Sequence, residues 1–480
     1  MGIFSGNTRQ YVVGDVLNFV AASTLTPNSP LLEERKKVKW STLGLISGIK
    51  EMKKLICNHE LEFATSYRQV FVADLGCDAY SFYGFSILDA KFLHTKEQQF
   101  MEMPSHLAQM ELYVYSLVTH NILLHNYGME FVIHGLAGFV LNRYVESVYG
   151  VHDRNYRVQK MHDTTVYLDS SGYALPLCAQ SLSEQIERFS PNFITYMKCK
   201  APVLFHLIEN IIGQNHMDNL IKDFFYDVNF QLESCKVICN DYEAGKEMNK
   251  NSQLYRCLTK HSVKIQDFMS ILRLHSAHLP THLQFENVFM QRWILGTGLL
   301  YLRGAVDVDN GSRTTNLVLE QVGYRGGIDS KDFTYKDKLL VVVLESDKTQ
   351  TEYIKDVRGD VTTHFLPFQA KKLKKGPGGK RKRFTEHTIN EIYDKKMEDS
   401  CRSSHVENTN ALSMVRMCAS GVPPIRFVSI DPFNFWIKSV HLVAPIEMFI
   451  EQLYMDCDTF GQIYALRQMS LVNVGNNDFR

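Results

Sequence analysis

Apolar residues recur with a helical period over much of the first 285 residues. In the segment 43–57 they fall three or four positions apart, which is the spacing of one helix face. Similar patterns predict further helices over 106–124, 130–150, 184–196 and 201–213. Gly213 is expected to end the last helix, because glycine readily adopts the left-handed backbone found at helix C-termini. A short apolar run at 69–75 predicts a strand. We therefore predict a mainly helical domain over residues 1–285.

The pattern changes after residue 285. Runs rich in β-branched residues, bounded by Asp, Asn and Gly, predict strands. These strands cover 316–322, 338–345, 424–432 and 435–443. Helical spacing returns from Pro445. The sequence thus predicts an α+β protein in which a β-sandwich-like domain spans 286–444. The start of an α-helical, HEAT-like repeat region is predicted over 445–480.

A segment of different composition, 369–405, lies between the predicted strands. It has few apolar residues and cannot bury enough surface to offset the entropy lost on ordering, so we expect a disordered loop. Basic residues form two clusters on either side of a Gly-Pro-Gly-Gly spacer. They are Lys371, Lys372, Lys374, Lys375, Lys380, Arg381, Lys382 and Arg383. Such clusters are typical of nuclear-import signals and of contacts to DNA phosphates, and also of a merely solvated loop.

The overall composition argues against several classes of protein. Lys plus Arg and Asp plus Glu both total 52, so the net charge predicts no acidic partner beyond the local basic clusters. The ten cysteines form no Cys-x-x-Cys pair, which leaves a zinc ribbon without support. No apolar run reaches the length of about 18 residues that a membrane-spanning helix needs. We therefore expect no membrane partner.

The chain lacks the motif that a zinc peptidase requires. HExxH, which supplies two zinc ligands and a general base, occurs nowhere. The segment 134–139 nevertheless resembles the Asn-Glu-Gly-Phe-Ala segment that carries the third zinc ligand in aminopeptidase N relatives. This resemblance places His134 at the third ligand position and Leu112 at the general base. Glu111 and Tyr115 then stand at the first and second ligand positions. Leu112 cannot accept a proton, and a neutral tyrosine is a poor zinc ligand.

Two further positions of the peptidase site are also replaced. Residues 79–83 resemble the Gly-Ala-Met-Glu-Asn strand and place Phe82 where the peptidases use Glu to bind the substrate amine. Residues 197–201 resemble a Tyr-x-Lys-Gly-Ala segment and place Met197 at the tyrosine that stabilises the oxyanion, with Tyr196 one position away. The resemblance therefore implies no catalytic residue, no metal, no cofactor and no small-molecule substrate. Ordinary helix packing is the simpler reading of the former ligand positions.

Short matches in order along the chain support a narrower resemblance. The chain resembles the TBP-associated factors that form subunit 2 of the general transcription factor TFIID, a family built on a non-catalytic aminopeptidase fold. The matching segments are 67–74, 131–139, 199–210, 425–432 and 462–466, together with the basic insertion. The resemblance implies a non-enzymatic scaffold in the nucleus that contributes to core-promoter binding and RNA polymerase II initiation. Its implied partners are the other TFIID subunits and promoter DNA.

Two other functions remain open from the sequence. An active zinc metallo-aminopeptidase with an atypical site would need a general base other than Leu112. A peptidase-like binding module outside transcription would hold peptides in the former cleft without cleaving them. The first alternative predicts bound zinc, whereas the second predicts a protein that remains outside the nucleus despite its basic clusters.

Overall fold

The structure is a computed structural model of the 480-residue chain. It describes residues 10–13, 37–56, 67–82, 84–122, 124, 127–171, 175–178, 190–223, 263–277, 289–297, 299–309, 312–325, 328–329, 337–357, 361–369 and 424–475. The chain forms two compact units. Unit 1 contains Met1–Val148 and Leu175–Gly296, and unit 2 contains Tyr149–Ala174 and Thr297–Arg480.

Helices and strands are both well represented in the described residues. The helices are α1 (Leu45–Ile56), α2 (Glu102–Asn121), α3 (Glu130–Tyr149), α4 (Val151–Ser170), α5 (Pro191–Ile212), α6 (Ile265–Ser276), α7 (Ile446–Met455) and α8 (Thr459–Gly475). The strands of unit 1 are β1 (Gln10–Val13), β2 (Arg68–Val72), β3 (Ala79–Phe82) and β4 (Phe85–Asp89). The strands of unit 2 are β5 (Leu299–Asp309), β6 (Thr314–Arg325), β7 (Ile328–Asp329), β8 (Asp337–Glu345), β9 (Gln350–Val357), β10 (Val361–Pro367), β11 (Ile425–Ile430) and β12 (Lys438–Val443).

Unit 1 contains a four-stranded sheet with the order β1-β2-β4-β3. The strands β2 and β4 run parallel, and β1 and β3 pair antiparallel to their neighbours. Inward-facing Phe71 and Leu88 pack with Leu112 of α2 in one apolar cluster. Because alternate strand residues face the same side of a sheet, this cluster fixes which face of the sheet covers α2.

Two glycines of α3 allow a close approach to α5. A Cβ atom at Gly138 would lie 2.3 Å from Cγ of Pro202, and one at Gly135 would lie 2.3 Å from the ring of Phe205. The absence of two side chains on α3 therefore sets its distance to α5.

The helix α5 begins at a Ser-Pro pair, in which the Ser190 hydroxyl accepts a hydrogen bond from the backbone N–H of Phe193.

Unit 2 contains two sheets. One has the order β10-β6-β5-β12, with β7 paired to β6, and the other has the order β11-β8-β9. All these pairs are antiparallel except β12 with β5, which is parallel. Residues 339–345 of β8 are all buried, because Phe433 and Phe435 pack against Leu340 and Val342 on one face of this strand. A strand that is buried on both faces has an uninterrupted apolar sequence, as β8 does.

The helix α4 belongs to unit 2 although it lies far from the rest of that unit in sequence. It packs against β5, β6 and α8. Its buried residues are largely polar, and they are Arg154, Asn155, Val158, Gln159, His162, Thr165, Leu168 and Asp169. Several of them are hydrogen-bonded to residues about 300 positions later in the chain, including Asn155 to Asp458 at 3.0 Å. The contacts of α4 are therefore specific and polar rather than a simple apolar stripe.

The loop between β11 and β12 is a tight turn with a buried ion pair. Asp431 has a left-handed backbone with φ of 48°, and its carboxylate accepts hydrogen bonds from the backbone N–H groups of Phe435 and Trp436. Its Oδ2 also lies 2.5 Å from Nζ of Lys438. This turn joins the strands predicted over 424–432 and 435–443, and the side chain of its aspartate holds it closed.

Most helices predicted from periodicity lie within a few residues of the observed ones. Gly213 ends α5 with φ of 85°, as expected from its sequence position. The strand predicted at 69–75 overlaps β2, and the other strands of this region are too short, at four or five residues, to give a periodic signal. The C-terminal part differs, since two helices, α7 and α8, pack together where the sequence indicated one.

The unit boundaries differ from the predicted domain boundaries as well. The second unit begins at Thr297 rather than at residue 286, and it includes 149–174. The basic segment 369–405 lies, apart from Gln369, outside the described residues, so its predicted disorder and its lysines and arginines remain a prediction. In the described part of the chain, no helix is both long enough and apolar enough to cross a membrane.

Candidate functional site

Tyr115 and His134, which the sequence resemblance places at two ligand positions, are in direct contact in unit 1. Tyr115 lies on α2 and His134 on α3, and the phenol oxygen is hydrogen-bonded to Nδ1 of the imidazole at 2.8 Å. The two rings meet edge to face, with centroids 5.3 Å apart. Two positions that the sequence places 19 residues apart are thus brought together between neighbouring helices.

A lysine adds positive charge to this pair. Nζ of Lys198, on α5, lies 5.9 Å from the ring centroid of Tyr115. Burial, and to a lesser extent the charge of Lys198, lowers the pKa of His134 to about 3. The imidazole is therefore neutral at physiological pH, with one donor and one acceptor nitrogen. Three helices contribute to the site, one residue each.

Leu112, at the general-base position, is buried in the apolar cluster with Phe71 and Leu88. Glu111 precedes it on α2 and is partly exposed. Glu111 and Tyr115 are four residues apart and so share one face of the helix. Leu112 points instead toward the sheet, which places an apolar side chain and no proton acceptor at its position.

Phe82, at the amine-anchor position, is the last residue of the edge strand β3. Its ring is half exposed and stacks on Phe85, with centroids 6.3 Å apart. The preceding Ser81 donates a hydrogen bond from its hydroxyl to the backbone carbonyl of Leu112 at 3.0 Å. This bond connects β3 directly to α2 beside the former base position. An aromatic ring at position 82 offers no carboxylate to a substrate amine.

Neither candidate for the oxyanion position is accessible. Met197 and Tyr196 are both fully buried in α5. The hydroxyl of Tyr196 accepts a hydrogen bond of 2.6 Å from Nζ of Lys200, which is itself buried. Tyr196 therefore does not stand in for a tyrosine at the oxyanion position, because its hydroxyl is buried and hydrogen-bonded to Lys200 of the same helix.

The residues at this site do not form a zinc-ligand set. A catalytic zinc takes three protein ligands drawn from His, Cys and carboxylate side chains. Here the three positions hold a carboxylate, a phenol and an imidazole, and the phenol is bonded to one imidazole nitrogen. Throughout the described ranges, no cluster of three or more His, Cys, Asp or Glu residues is arranged to hold a metal ion.

A second polar cluster lies in unit 2, around α4. The backbone N–H of Lys438 donates to Nε2 of His162 at 3.4 Å, and Asn434 donates to Gln159 at 2.9 Å. Asp163 forms a bidentate ion pair with Arg467 of α8. These contacts join α4 to the loop after β11, to the start of β12 and to α8. The cluster therefore connects segments of unit 2 that are distant in sequence.

The sequence reading selected the positions that the fold brings together at the first site, but it did not include Lys198 or Ser81. Neither residue matches a motif. Lys198 stands next to the former oxyanion position and Ser81 next to the former amine anchor. Their neighbours in sequence were the only available signal, because contacts between α5 and α2, or between β3 and α2, depend on tertiary packing.

Comparison with known proteins identifies the fold. No family model matches the chain, and no curated protein matches it in sequence. The solved structure of Legionella pneumophila aminopeptidase A in complex with aspartic acid is similar, with a TM-score of 0.54 at 10% sequence identity. The match covers 99% of this chain and 43% of the aminopeptidase chain. The protein is a mixed helix-and-sheet protein with an aminopeptidase-like fold, as the sequence predicted, and at this identity the likeness defines the fold alone.

Proposed function

We propose that the protein is a non-enzymatic scaffold subunit of TFIID, in which an aminopeptidase-like fold provides binding surface rather than catalysis. The observation that carries the proposal is the replacement of the hydrolytic groups at positions that share one site. Leu112 is buried among apolar side chains, and the hydroxyl of Tyr115 is hydrogen-bonded to His134. Without a base or a ligand set at these positions, none of their side chains can activate water for the hydrolysis of a peptide bond.

The proposed assembly rests on the ordered sequence matches and not on the fold. These matches include 67–74, which contains β2, and 425–432, which contains β11 and the Asp431 turn. We further propose that the two sheets of unit 2 form a β-sandwich-like domain and that α7 and α8 begin a helical-repeat region. The proposed partners are the other TFIID subunits and promoter DNA, and the proposed location is the nucleus.

The basic clusters at 371–383 supply the cationic part of the proposal. Lysine and arginine groups that contact phosphates give binding that is independent of DNA sequence and falls steeply with salt. The same groups serve an import receptor equally well. Neutralising them is therefore expected to reduce nuclear accumulation, and DNA retention at low salt would fall as well if they contact promoter DNA.

Affinity purification from nuclei with mass spectrometry tests the proposal. The full chain is expected to recover other TFIID subunits, and the variant with all basic residues of 371–383 changed to glutamine is expected to be depleted from nuclei. A control variant changes exposed lysines outside the segment, such as Lys50, Lys160 and Lys348, to glutamine. Recovery of no TFIID subunit by the full chain would overturn the proposal.

A zinc metallo-aminopeptidase is the second candidate, and the aminopeptidase-like fold is compatible with it. Purified protein is then expected to contain stoichiometric zinc and to release N-terminal residues in a chelator-sensitive manner. The absence of both from protein that is folded by circular dichroism would leave a binding module outside transcription as the remaining alternative. That module would be recovered with cytoplasmic peptides or proteins and with no TFIID subunit.

A further inference from the structure

We propose that the Tyr115–His134 hydrogen bond takes the place of a metal ion as the link between α2 and α3. The two helices are then joined by a hydrogen bond without a metal, and this hydrogen bond leaves no room for a divalent cation between the two side chains. The inference goes beyond the proposed scaffold function, because it concerns how the fold keeps its former catalytic helices together. It does not depend on which proteins the chain binds.

The geometry of the pair carries the first step. The sequence resemblance places Tyr115 and His134 at the second and third ligand positions of the aminopeptidases, and the two residues lie on two different helices. In a metal site of this kind, such side chains meet through an ion that lies between them. Here the phenol oxygen and Nδ1 are 2.8 Å apart, which is a direct hydrogen bond with no space for an ion between the two atoms.

The chemistry of the donors carries the second step. A tyrosine binds a divalent cation well only as phenolate, and this phenol is committed to an imidazole nitrogen. Nζ of Lys198 lies near the same ring, so a divalent cation at this place would meet a positive charge. Glu111 is the one carboxylate among the former ligand positions, and one carboxylate with one imidazole does not complete the ligand set of a zinc site.

The packing around the pair carries the third step. Gly135 follows His134 and lies against the ring of Phe205, so α3 is held close to α5, which carries Lys198. On the other side, the Ser81 hydroxyl binds the carbonyl of Leu112 and fixes α2 to the edge strand. These contacts position each helix against other elements, and the Tyr115–His134 hydrogen bond joins the two helices to each other. The phenol and the imidazole therefore meet without the ordering cost that two free side chains would have.

The first test measures stability and metal content of the full chain. Tyr115→Phe removes only the hydroxyl, and a fall of about 2–4 °C in the unfolding temperature is expected for a net loss of one hydrogen bond in a unit of this size. Tyr156→Phe, at an exposed tyrosine on α4, is the matched control and is expected to leave the unfolding temperature unchanged. Addition of zinc or of EDTA is expected to shift neither protein.

The second test adds a ligand at the same place. Tyr115→His combined with Lys198→Met supplies a second imidazole beside Glu111 and His134 and removes the nearby positive charge. This variant is expected to bind zinc at least tenfold more tightly than the unchanged chain, measured by competition with a chelating dye. If the variant is misfolded by circular dichroism, Lys198→Met alone provides the measurement, with zinc binding expected to remain weak and the unfolding temperature unchanged.

Two results would overturn the inference. One is stoichiometric zinc in the unchanged chain together with a loss of stability on chelation. The other is an unfolding temperature that is the same for Tyr115→Phe and Tyr156→Phe, which would mean that the hydrogen bond links nothing. Both are read on purified protein, so they are distinct from the nuclear purification. A chain that recovers no TFIID subunit can still pass this test.

Discussion

Nζ of Lys438 lies 2.5 Å from Oδ2 of Asp431, and both side chains are buried within unit 2. The carboxylate also accepts hydrogen bonds from two backbone N–H groups of the turn that follows it. Removing a charge from water is costly unless it is paired and fully hydrogen-bonded. The pair therefore holds the path of the chain between β11 and β12 through a network that no single apolar residue can replace.

Lys438→Met is expected to destabilise the protein by about 3–5 kcal/mol, because it leaves a buried carboxylate without its cation. Chemical denaturation monitored by circular dichroism measures the loss. Arg303→Met is the control, because Arg303 pairs with Glu320 at 3.9 Å where both side chains are about half exposed. Its expected cost is about 0–1 kcal/mol. Equal effects of the two changes would contradict the importance of the buried pair.

Asn434, three residues after Asp431, has a left-handed backbone with φ of 53° and donates a hydrogen bond to Gln159 of α4. Both Asn434→Gly and Asn434→Ala lose the hydrogen bond to Gln159. Glycine adopts the left-handed backbone without strain, whereas alanine adds backbone strain. The alanine variant is therefore expected to be less stable than the glycine variant by roughly 1 kcal/mol. Thermal unfolding of the two variants side by side measures this difference, and an alanine variant as stable as the glycine variant would argue against backbone strain at this position.

The two glycines of α3 allow a comparison within one helix. Gly138→Ala would place a methyl group against the ring of Pro202, which lies inside α5 and cannot rotate away. Gly135→Ala would meet the ring of Phe205, a side chain with rotatable bonds. We expect Gly138→Ala to be more destabilising than Gly135→Ala. The expected cost of Gly138→Ala is about 1–3 kcal/mol beyond any gain in helix propensity. Denaturant midpoints decide the order, and the reverse order would mean that α3 and α5 can separate at Pro202.

Asp456, between α7 and α8, is partly buried, and its Oδ1 accepts a hydrogen bond of 3.0 Å from the backbone N–H of Asp458. Burial, and to a lesser extent the neighbouring Asp458 carboxylate, raises the pKa of Asp456 to about 6. Its Oδ2 accepts a long hydrogen bond of 3.4 Å from Gln452, whose own amide oxygen is buried with no hydrogen-bond partner. A folded-state pKa above the unfolded value means that the folded protein binds the proton more tightly. The stability that this group contributes is therefore present at low pH and is lost as the pH rises from about 4 to about 6.

Asp456→Asn is expected to remove this pH dependence. The amide is uncharged at every pH, and its N–H can donate to the free oxygen of Gln452 after rotation of that side chain. The variant is expected to be more stable than the parent at pH 7, by up to about 2 kcal/mol, and to match it near pH 4. Urea unfolding at several pH values checks this. If the free energy of unfolding of the parent rose relative to that of the variant between pH 4 and pH 6, the predicted direction of the pH dependence would be wrong.

Part of the fold follows from local sequence alone. The apolar residues of α1, α2, α3 and α5 predict those helices, and α3 and α5 bury residues on more than one face. Gly213 and the Asp431 turn follow from the backbone preferences of single residues. Apolar spacing does not predict α4, because the face that this helix buries is largely polar, with Arg154 and His162 among its buried residues. Apolar periodicity cannot indicate a helix whose packing consists of hydrogen bonds and ion pairs.

The candidate site divides in the same way. Sequence motifs select Glu111, Leu112, Tyr115 and His134 as replaced positions, because the missing HExxH motif is a local pattern. They give no sign that the phenol and the imidazole bind each other. That contact requires α2 and α3 to lie side by side.

The sequence by itself determined the helix faces, the turn residues, the apolar run of β8 and the loss of the zinc-binding motif. Each of these is decided by neighbours within a few positions along the chain. Only the tertiary structure decided that Tyr115 meets His134 near Lys198, that α4 joins a unit some 130 residues further along, and that Asn155 is hydrogen-bonded to Asp458. Such contacts arise where separate elements pack, and their geometry depends on side chains that are distant in sequence and adjacent in space.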